Sequence, residues 1–166
     1  GERVYPYPLL AKNDTRRAGT IGGFSEYILV PKAKKDSSLY PVPREIPDRL
    51  ASLIEPFTVG CRAARRGQPG EEDKAIVFGS GTIGLAAAVA LQYFGVNKII
   101  VCDLSDYRLK IASGLGFEVC NMASQDLRET AMEYFGMAHG LTGGTMDADI
   151  FLDAAGDESI LETFMD

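Results

Sequence analysis

The chain has 166 residues, of which 46% are hydrophobic, and a formal net charge of −6. This length and apolar content suffice for a buried core in one domain or two small ones. The acidic balance argues against a nucleic-acid partner, because binding to a phosphate backbone requires a concentrated basic surface and the chain has only the small cluster Arg62, Arg65 and Arg66. The longest apolar run, 85–91, is far shorter than the roughly 20 residues that span a bilayer, so we expect no membrane partner and, by default, a cytoplasmic protein.

The first third of the chain is rich in turns. An apolar stretch at 24–30 predicts a strand. Asp48 is a candidate N-cap of a short helix through 53, and a second helix is predicted over about 56–64. We therefore expect a β-rich module over 1–56 and a second module over 57–166.

From Lys74 the pattern changes to alternating strands and helices. The continuous apolar run after Lys74 predicts a strand buried on both faces, and helical spacing of apolar residues follows, with Gly95 as the residue that ends the helix. Short links between alternating strands and helices indicate a parallel sheet with right-handed crossovers. The further predicted elements are strands at 98–103, 117–121 and 149–153, a helix capped by Ser105 and a helix over 125–135.

A glycine-rich turn, G-x-G-x-x-G at 79–84, stands between the first of these strands and its helix. An acidic residue, Asp103, ends the next strand 19 positions beyond Gly84, near the spacing of a dinucleotide-binding unit. Gly79 permits the tight turn, Gly81 lets a pyrophosphate approach the backbone at the positive end of the helix dipole, and Gly84 lets the helix pack closely on the sheet. Asp103 would accept hydrogen bonds from the ribose and repel the extra phosphate of NADP, so the predicted cofactor is NAD.

Two other interpretations of the turn stay open. It could be a plain strand-to-helix turn with Asp103 as a surface carboxylate. It could also be the glycine loop of a methyltransferase that binds S-adenosylmethionine. That loop is usually G-x-G-x-G after an acidic residue, whereas here Phe78 precedes the turn and Ile83 replaces the last close glycine.

Side chains that commonly bind metals are few. Cys61, Cys102 and Cys120 are widely spaced and odd in number, which favours reduced thiols in the core over a disulfide framework or a cysteine zinc site. His139, the one histidine, stands in a glycine-rich stretch predicted as a loop. We expect it to be a solvated loop residue and not a ligand.

Four segments follow one another along the chain: GERV, GGFSEYILVP, LIEPFTVGCRA and, at the end of the fourth predicted strand, DAAG. In this order they resemble the zinc-dependent medium-chain dehydrogenases, most closely the sorbitol (L-iditol) dehydrogenase branch. The resemblance implies a GroES-like catalytic domain ahead of the Rossmann domain, a catalytic zinc between them, and hydride transfer from a secondary alcohol or polyol to NAD. It also implies a homo-oligomer.

The resemblance assigns roles to further residues. It places Glu55 at the catalytic zinc, where it would hold the metal or exchange with its bound water; the alternative is an acidic residue that only favours the start of a helix. It implies that Val59 and Ile83 lie beside the nicotinamide, with Ala154 and Ala155 at its far edge and Arg108 near the adenosine. Thr82, within the glycine turn, is also a predicted cofactor-binding residue.

The sequence also departs from the family pattern. The family's zinc-binding cysteine and His-Glu pair would precede Gly1, and a cysteine-free segment, 5–21, stands where many relatives carry a structural zinc. We therefore expect a fragment: a partial Rossmann doubly wound parallel sheet with strand order 3-2-1-4, preceded by a remnant of the catalytic domain, inactive alone and unable to hold the zinc of its parent protein. A non-catalytic NAD-binding module is the alternative, and a methyltransferase ranks third.

Overall fold

The computed structural model describes residues 1–7, 26, 30, 32–140, 143–158 and 160. Within it the chain forms two compact units, Gly1–Ile54 and Glu55–Asp166. The strand predicted at 24–30 lies outside the described residues except for two isolated positions. None of the helices in the described ranges has the length and apolar character needed to cross a membrane.

The first unit contains a short antiparallel strand pair, β1 (Val4–Pro6) and β2 (Leu39–Pro41), and one short helix, α1 (Asp48–Ala51). Arg3, which precedes β1, links this strand pair to α1. Its guanidinium donates to the carbonyl of Ile46 at 2.8 Å and to the carboxylate of Asp48 at 2.7 Å. The prediction for α1 was partly wrong. Pro47 occupies the N-cap position with an extended backbone, so Asp48 is the first helical residue. There its negative charge interacts favourably with the positive end of the helix dipole.

The second unit begins within helix α2 (Ile54–Arg66) and continues as alternating strands and helices. Its main sheet has four parallel strands in the order β5-β4-β3-β8, which confirms the predicted order 3-2-1-4. The elements are β3 (Lys74–Phe78), α3 (Thr82–Tyr93), β4 (Lys98–Asp103), α4 (Asp106–Gly114), β5 (Glu118–Asn121), α5 (Leu127–Phe135), β6 (Met137–Gly140), β7 (Gly143–Met146) and β8 (Ile150–Asp153).

The central strand β3 separates two apolar clusters. Ala75 and Val77 belong to the cluster under α2 and α3, whereas Ile76 and Phe78 belong to the cluster under α5. All four side chains are at most 1% exposed, as the continuous apolar run predicts. The sheet is therefore covered on both faces, and polar side chains that serve a ligand are left to the carboxyl ends of its strands.

The glycine-rich stretch after α5 differs from the prediction. The backbone of His139 lies in β6, which pairs antiparallel with β7, so this segment is not an irregular loop. Pairing of Met137 with Met146 and of Ala138 with Thr145 satisfies backbone groups that a loop would leave to water.

Candidate cofactor-binding site

The glycine turn connects β3 to α3 in a conformation that only glycine adopts readily. Gly79 has a φ of 95°, and a Cβ on it would lie 3.0 Å from the backbone of Ala154 and Ala155. Its N–H donates to the carbonyl of Cys102 at 2.8 Å, while the N–H of Ala154 donates to Phe78 at 2.8 Å. The ends of β3, β4 and β8 are thus held together around this turn.

The other two glycines of the motif meet opposite surroundings. A Cβ on Gly84 would lie 1.7 Å from the carbonyl oxygen of Gly79, so a side chain there would push the first turn of α3 away from the strand. A Cβ on Gly81 would have no atom within 4 Å. Gly84 is required by the protein itself, whereas the space over Gly81 is open to a ligand at the N-terminus of α3, where N–H groups lack intrahelical partners.

Asp103 closes the opposite side of this space. One of its carboxylate oxygens accepts the N–H of Ser80 at 2.8 Å, and the other accepts the N–H of Ser105 at 2.9 Å. Its side chain is only 8% exposed, and the guanidinium of Arg108 lies 3.7 Å away. Each oxygen of a carboxylate has two acceptor positions, so Asp103 retains capacity for hydroxyl groups of a ligand.

Ser80 is a buried residue beside the site that the sequence did not single out. It is 2% exposed, its hydroxyl donates to the carbonyl of Arg108 at 3.0 Å, and its N–H donates to Asp103. The first bond connects the glycine turn to the first turns of α4, and the second connects it to the end of β4. The only sequence signal was a small hydroxyl residue between two glycines, which by itself does not indicate burial. Ser105, predicted as a side-chain cap, holds the N-cap position through its backbone and makes no side-chain cap.

The glycine turn, the end of β4 and the residues that follow β8 line a cavity of about 600 Å³. Six of the predicted site residues line it, together with Leu104 and Met122, which were not predicted. Thr82 is the exposed first residue of α3, and the partly buried Ile83 and buried Gly84 follow it without lining the cavity. The predicted residues that do line the cavity are Gly79, Gly81, Asp103, Arg108, Ala154 and Ala155.

Helix α2 carries the two remaining predicted residues, Glu55 and Val59, both exposed. The helix lies against α3 at Gly60, where a Cβ would be 2.6 Å from the backbone nitrogen of Ala87 and 2.8 Å from the carbonyl oxygen of Ile83. In the described part of the chain, no three His, Cys, Asp or Glu side chains are grouped so as to hold a metal ion. The zinc role of Glu55 therefore stays a prediction.

No family profile matches the sequence, but individual proteins of known function are similar to it. L-threonine 3-dehydrogenase of Stenotrophomonas maltophilia is 34% identical over 113 residues, which cover 68% of this chain and 32% of that protein. (R,R)-butanediol dehydrogenase of Saccharomyces cerevisiae is 31% identical over 142 residues, covering 86% of this chain and 35% of that protein. The chain thus spans about a third of the length of the curated relatives it matches.

Solved structures agree with the sequence relatives. The RspB alcohol dehydrogenase of Escherichia coli CFT073, solved in complex with NADH, matches with a TM-score of 0.64 at 29% identity, covering 77% of this chain and 36% of that one. The chain therefore has the fold of the NAD-binding Rossmann part of medium-chain dehydrogenases, and its sequence relates it to the zinc-dependent medium-chain alcohol dehydrogenase family.

Proposed function

We propose that this chain is the NAD-binding portion of an oxidoreductase that transfers a hydride between NAD and a secondary alcohol or polyol. The observation that carries the proposal is the open space over Gly81, at the N-terminus of α3 and inside a cavity bounded by Asp103. A space of this kind between a strand end and a helix start suits a pyrophosphate, because unpaired N–H groups and the helix dipole both favour an anion.

Asp103 is proposed to select NAD over NADP. Its buried carboxylate keeps a fixed orientation through two backbone N–H groups, and its free acceptor positions suit the two ribose hydroxyls. A 2′-phosphate would meet this negative charge at close range. Arg108 offsets the charge only weakly, because it is 58% exposed and the pair is separated by 3.7 Å.

The nicotinamide ring, when bound, supplies the hydride acceptor or donor. The residues proposed to position that ring are Ala154 and Ala155 at the end of β8, with Val59 and Ile83 on the α2 side. Glu55 is proposed to serve the zinc site of the whole protein, and the described residues do not form that site by themselves. A polyol substrate of the sorbitol dehydrogenase type, a homo-oligomeric whole protein and an inactive isolated chain are parts of the same proposal.

The proposal is tested by titrating the chain with NADH and following binding by calorimetry. We expect Asp103→Ala to weaken binding by a few kcal/mol at most, since a hydrogen bond to a charged group contributes about 1.5–3 kcal/mol. Asp126→Ala is the matched control, because Asp126 accepts the N–H of Glu129 at 3.0 Å as the cap of α5 and does not line the cavity.

Equal binding by the two variants would remove Asp103 from the site. Tighter binding of S-adenosylhomocysteine than of NADH would favour the methyltransferase alternative. Absence of NADH binding by the unaltered chain would contradict the proposed function of this portion.

A further inference from the structure

Two buried cysteines lie side by side next to the cofactor cavity. Cys102 in β4 and Cys120 in β5 are register partners in neighbouring parallel strands, and both belong to the apolar cluster on the α5 side of the sheet. Each is 0% exposed. Neighbouring strands lie about 4.8 Å apart, so side chains of register partners on one face are in contact. The two thiols are close enough to shift each other's pKa.

The two neighbouring thiols differ in acidity. Interaction with Cys120 and burial both raise the pKa of Cys102 far above the ordinary value of a thiol. Interaction with Cys102 lowers the pKa of Cys120 to about 7, with burial opposing this effect and Thr130 acting in the same direction. Cys120 is therefore the more easily deprotonated of the two thiols, and the thiolate is the nucleophilic form of cysteine.

The pair is also connected to the cofactor cavity. Cys102 is one of the residues that line the cavity, whereas its register partner Cys120 does not line it. Its carbonyl oxygen accepts the N–H of Gly79 at 2.8 Å, and the next residue, Asp103, accepts the N–H of Ser80 at 2.8 Å. A covalent change at Cys102 therefore acts directly on the strand end that holds the glycine turn.

We propose that Cys102 and Cys120 form a dithiol modification site, which a peroxide converts to a disulfide, and that closure of this disulfide weakens NAD binding. The strand spacing falls within the Cα separation of about 4.4–6.8 Å that disulfides require. The expected weakening rests on the proposed function, whereas formation of the disulfide does not.

The chemistry balances with peroxide as the oxidant. The thiolate of Cys120 attacks one peroxide oxygen, so an S–O bond forms, the O–O bond breaks, and the departing hydroxide takes up a proton to become water. The sulfur of Cys102 then loses its proton and attacks the sulfur of the sulfenic acid. An S–S bond forms, the S–O bond breaks and a second water leaves. Both thiols are oxidised and the peroxide is reduced.

The test is to treat the reduced, folded chain with hydrogen peroxide, alkylate the remaining thiols after unfolding, and identify the products by intact and peptide mass spectrometry. We expect the loss of two hydrogen atoms, one linked peptide pair containing Cys102 and Cys120, and an alkylated Cys61. NADH affinity of the oxidised chain is expected to fall by about tenfold or more and to return after reduction with dithiothreitol.

Matched variants separate the pair from the third cysteine. Cys61→Ser is expected to form the same link, whereas Cys120→Ser forms none. If Cys120→Ser does not fold, phenylarsine oxide on the unaltered chain and on Cys61→Ser decides the matter, because a trivalent arsenical is held by two neighbouring thiols. It is expected to bridge Cys102 and Cys120 in both proteins.

Three results would overturn the proposal: no linked pair in the folded protein, a link that includes Cys61, or a correct link that leaves NADH affinity unchanged. Failure of the reduced chain to bind NADH would instead refute the proposed function, while the peptide map would still decide whether the dithiol closes.

Discussion

Gly81→Ala is expected to weaken ligand binding and leave the stability of the fold unchanged, whereas Gly84→Ala is expected to lower that stability. At Gly81 the backbone, with φ of −81° and ψ of −177°, accepts any residue, and the new Cβ meets no atom within 4 Å. Alanine reduces the conformational entropy of the unfolded chain, which stabilises the folded state by about 0.4–1 kcal/mol. Alanine is also a poorer N-cap than glycine, which destabilises the helix by a similar amount. The free energy of unfolding should therefore change by less than about 0.5 kcal/mol.

At Gly84 the new Cβ would lie 1.7 Å from a backbone oxygen, which no side-chain rotation relieves. Overpacking of this kind costs about 1–3 kcal/mol or more. That is a large share of the roughly 5–15 kcal/mol that stabilises an ordinary domain.

Urea unfolding followed by circular dichroism, with NADH titration of the folded variants, checks both expectations. Gly81→Ala should keep the midpoint of unfolding and lose at least about tenfold in NADH affinity, equivalent to 1.4 kcal/mol, because the methyl group occupies the space proposed for the pyrophosphate. Gly84→Ala should unfold at lower urea. Unchanged NADH affinity in Gly81→Ala would refute the placement of the pyrophosphate, and unchanged stability in Gly84→Ala would refute the argument from helix packing.

Three further predictions concern contacts within the second unit. Ser80→Ala removes one buried hydrogen bond to α4 and should lower the free energy of unfolding by about 1 kcal/mol, measured by urea unfolding; a value indistinguishable from zero would mean that water replaces the hydroxyl. Gly60→Ala places a Cβ 2.6 Å from the nitrogen of Ala87 and should cost about 1–3 kcal/mol, visible as a lower Tm; an unchanged Tm would contradict the close approach of α2 to α3. The ultraviolet absorbance of the Cys120 thiolate should rise with pH around a midpoint near 7, since the lowered pKa keeps the thiolate populated down to that pH, and in Cys102→Ala the midpoint should move upward; equal midpoints would contradict the effect of Cys102 on the pKa of Cys120.

The sequence predicted the features that depend on neighbouring residues or on a repeating pattern along the chain. The strand that ends at Asp103 was predicted with the bounds that the structure has, because its apolar run is continuous and ends at a charged residue. The features it missed depend on contacts between distant residues. The burial of Ser80 follows from its bond to α4, the proximity of Cys102 and Cys120 follows from strand register, and the antiparallel pairing around His139 has no apolar alternation to indicate it.

The bonds that join the ends of β3, β4 and β8 have a consequence for folding. The N–H of Gly79 reaches Cys102, and the N–H of Ala154 reaches Phe78, so the cavity walls come from strands that are distant in the chain and pair only when the sheet is complete. A ligand held by all three strand ends binds the assembled sheet and not its parts. Saturation with such a ligand raises the free energy of global unfolding by about 2.7 kcal/mol at 100 times its Kd, so the thermal stability of the whole second unit becomes a measure of cofactor concentration.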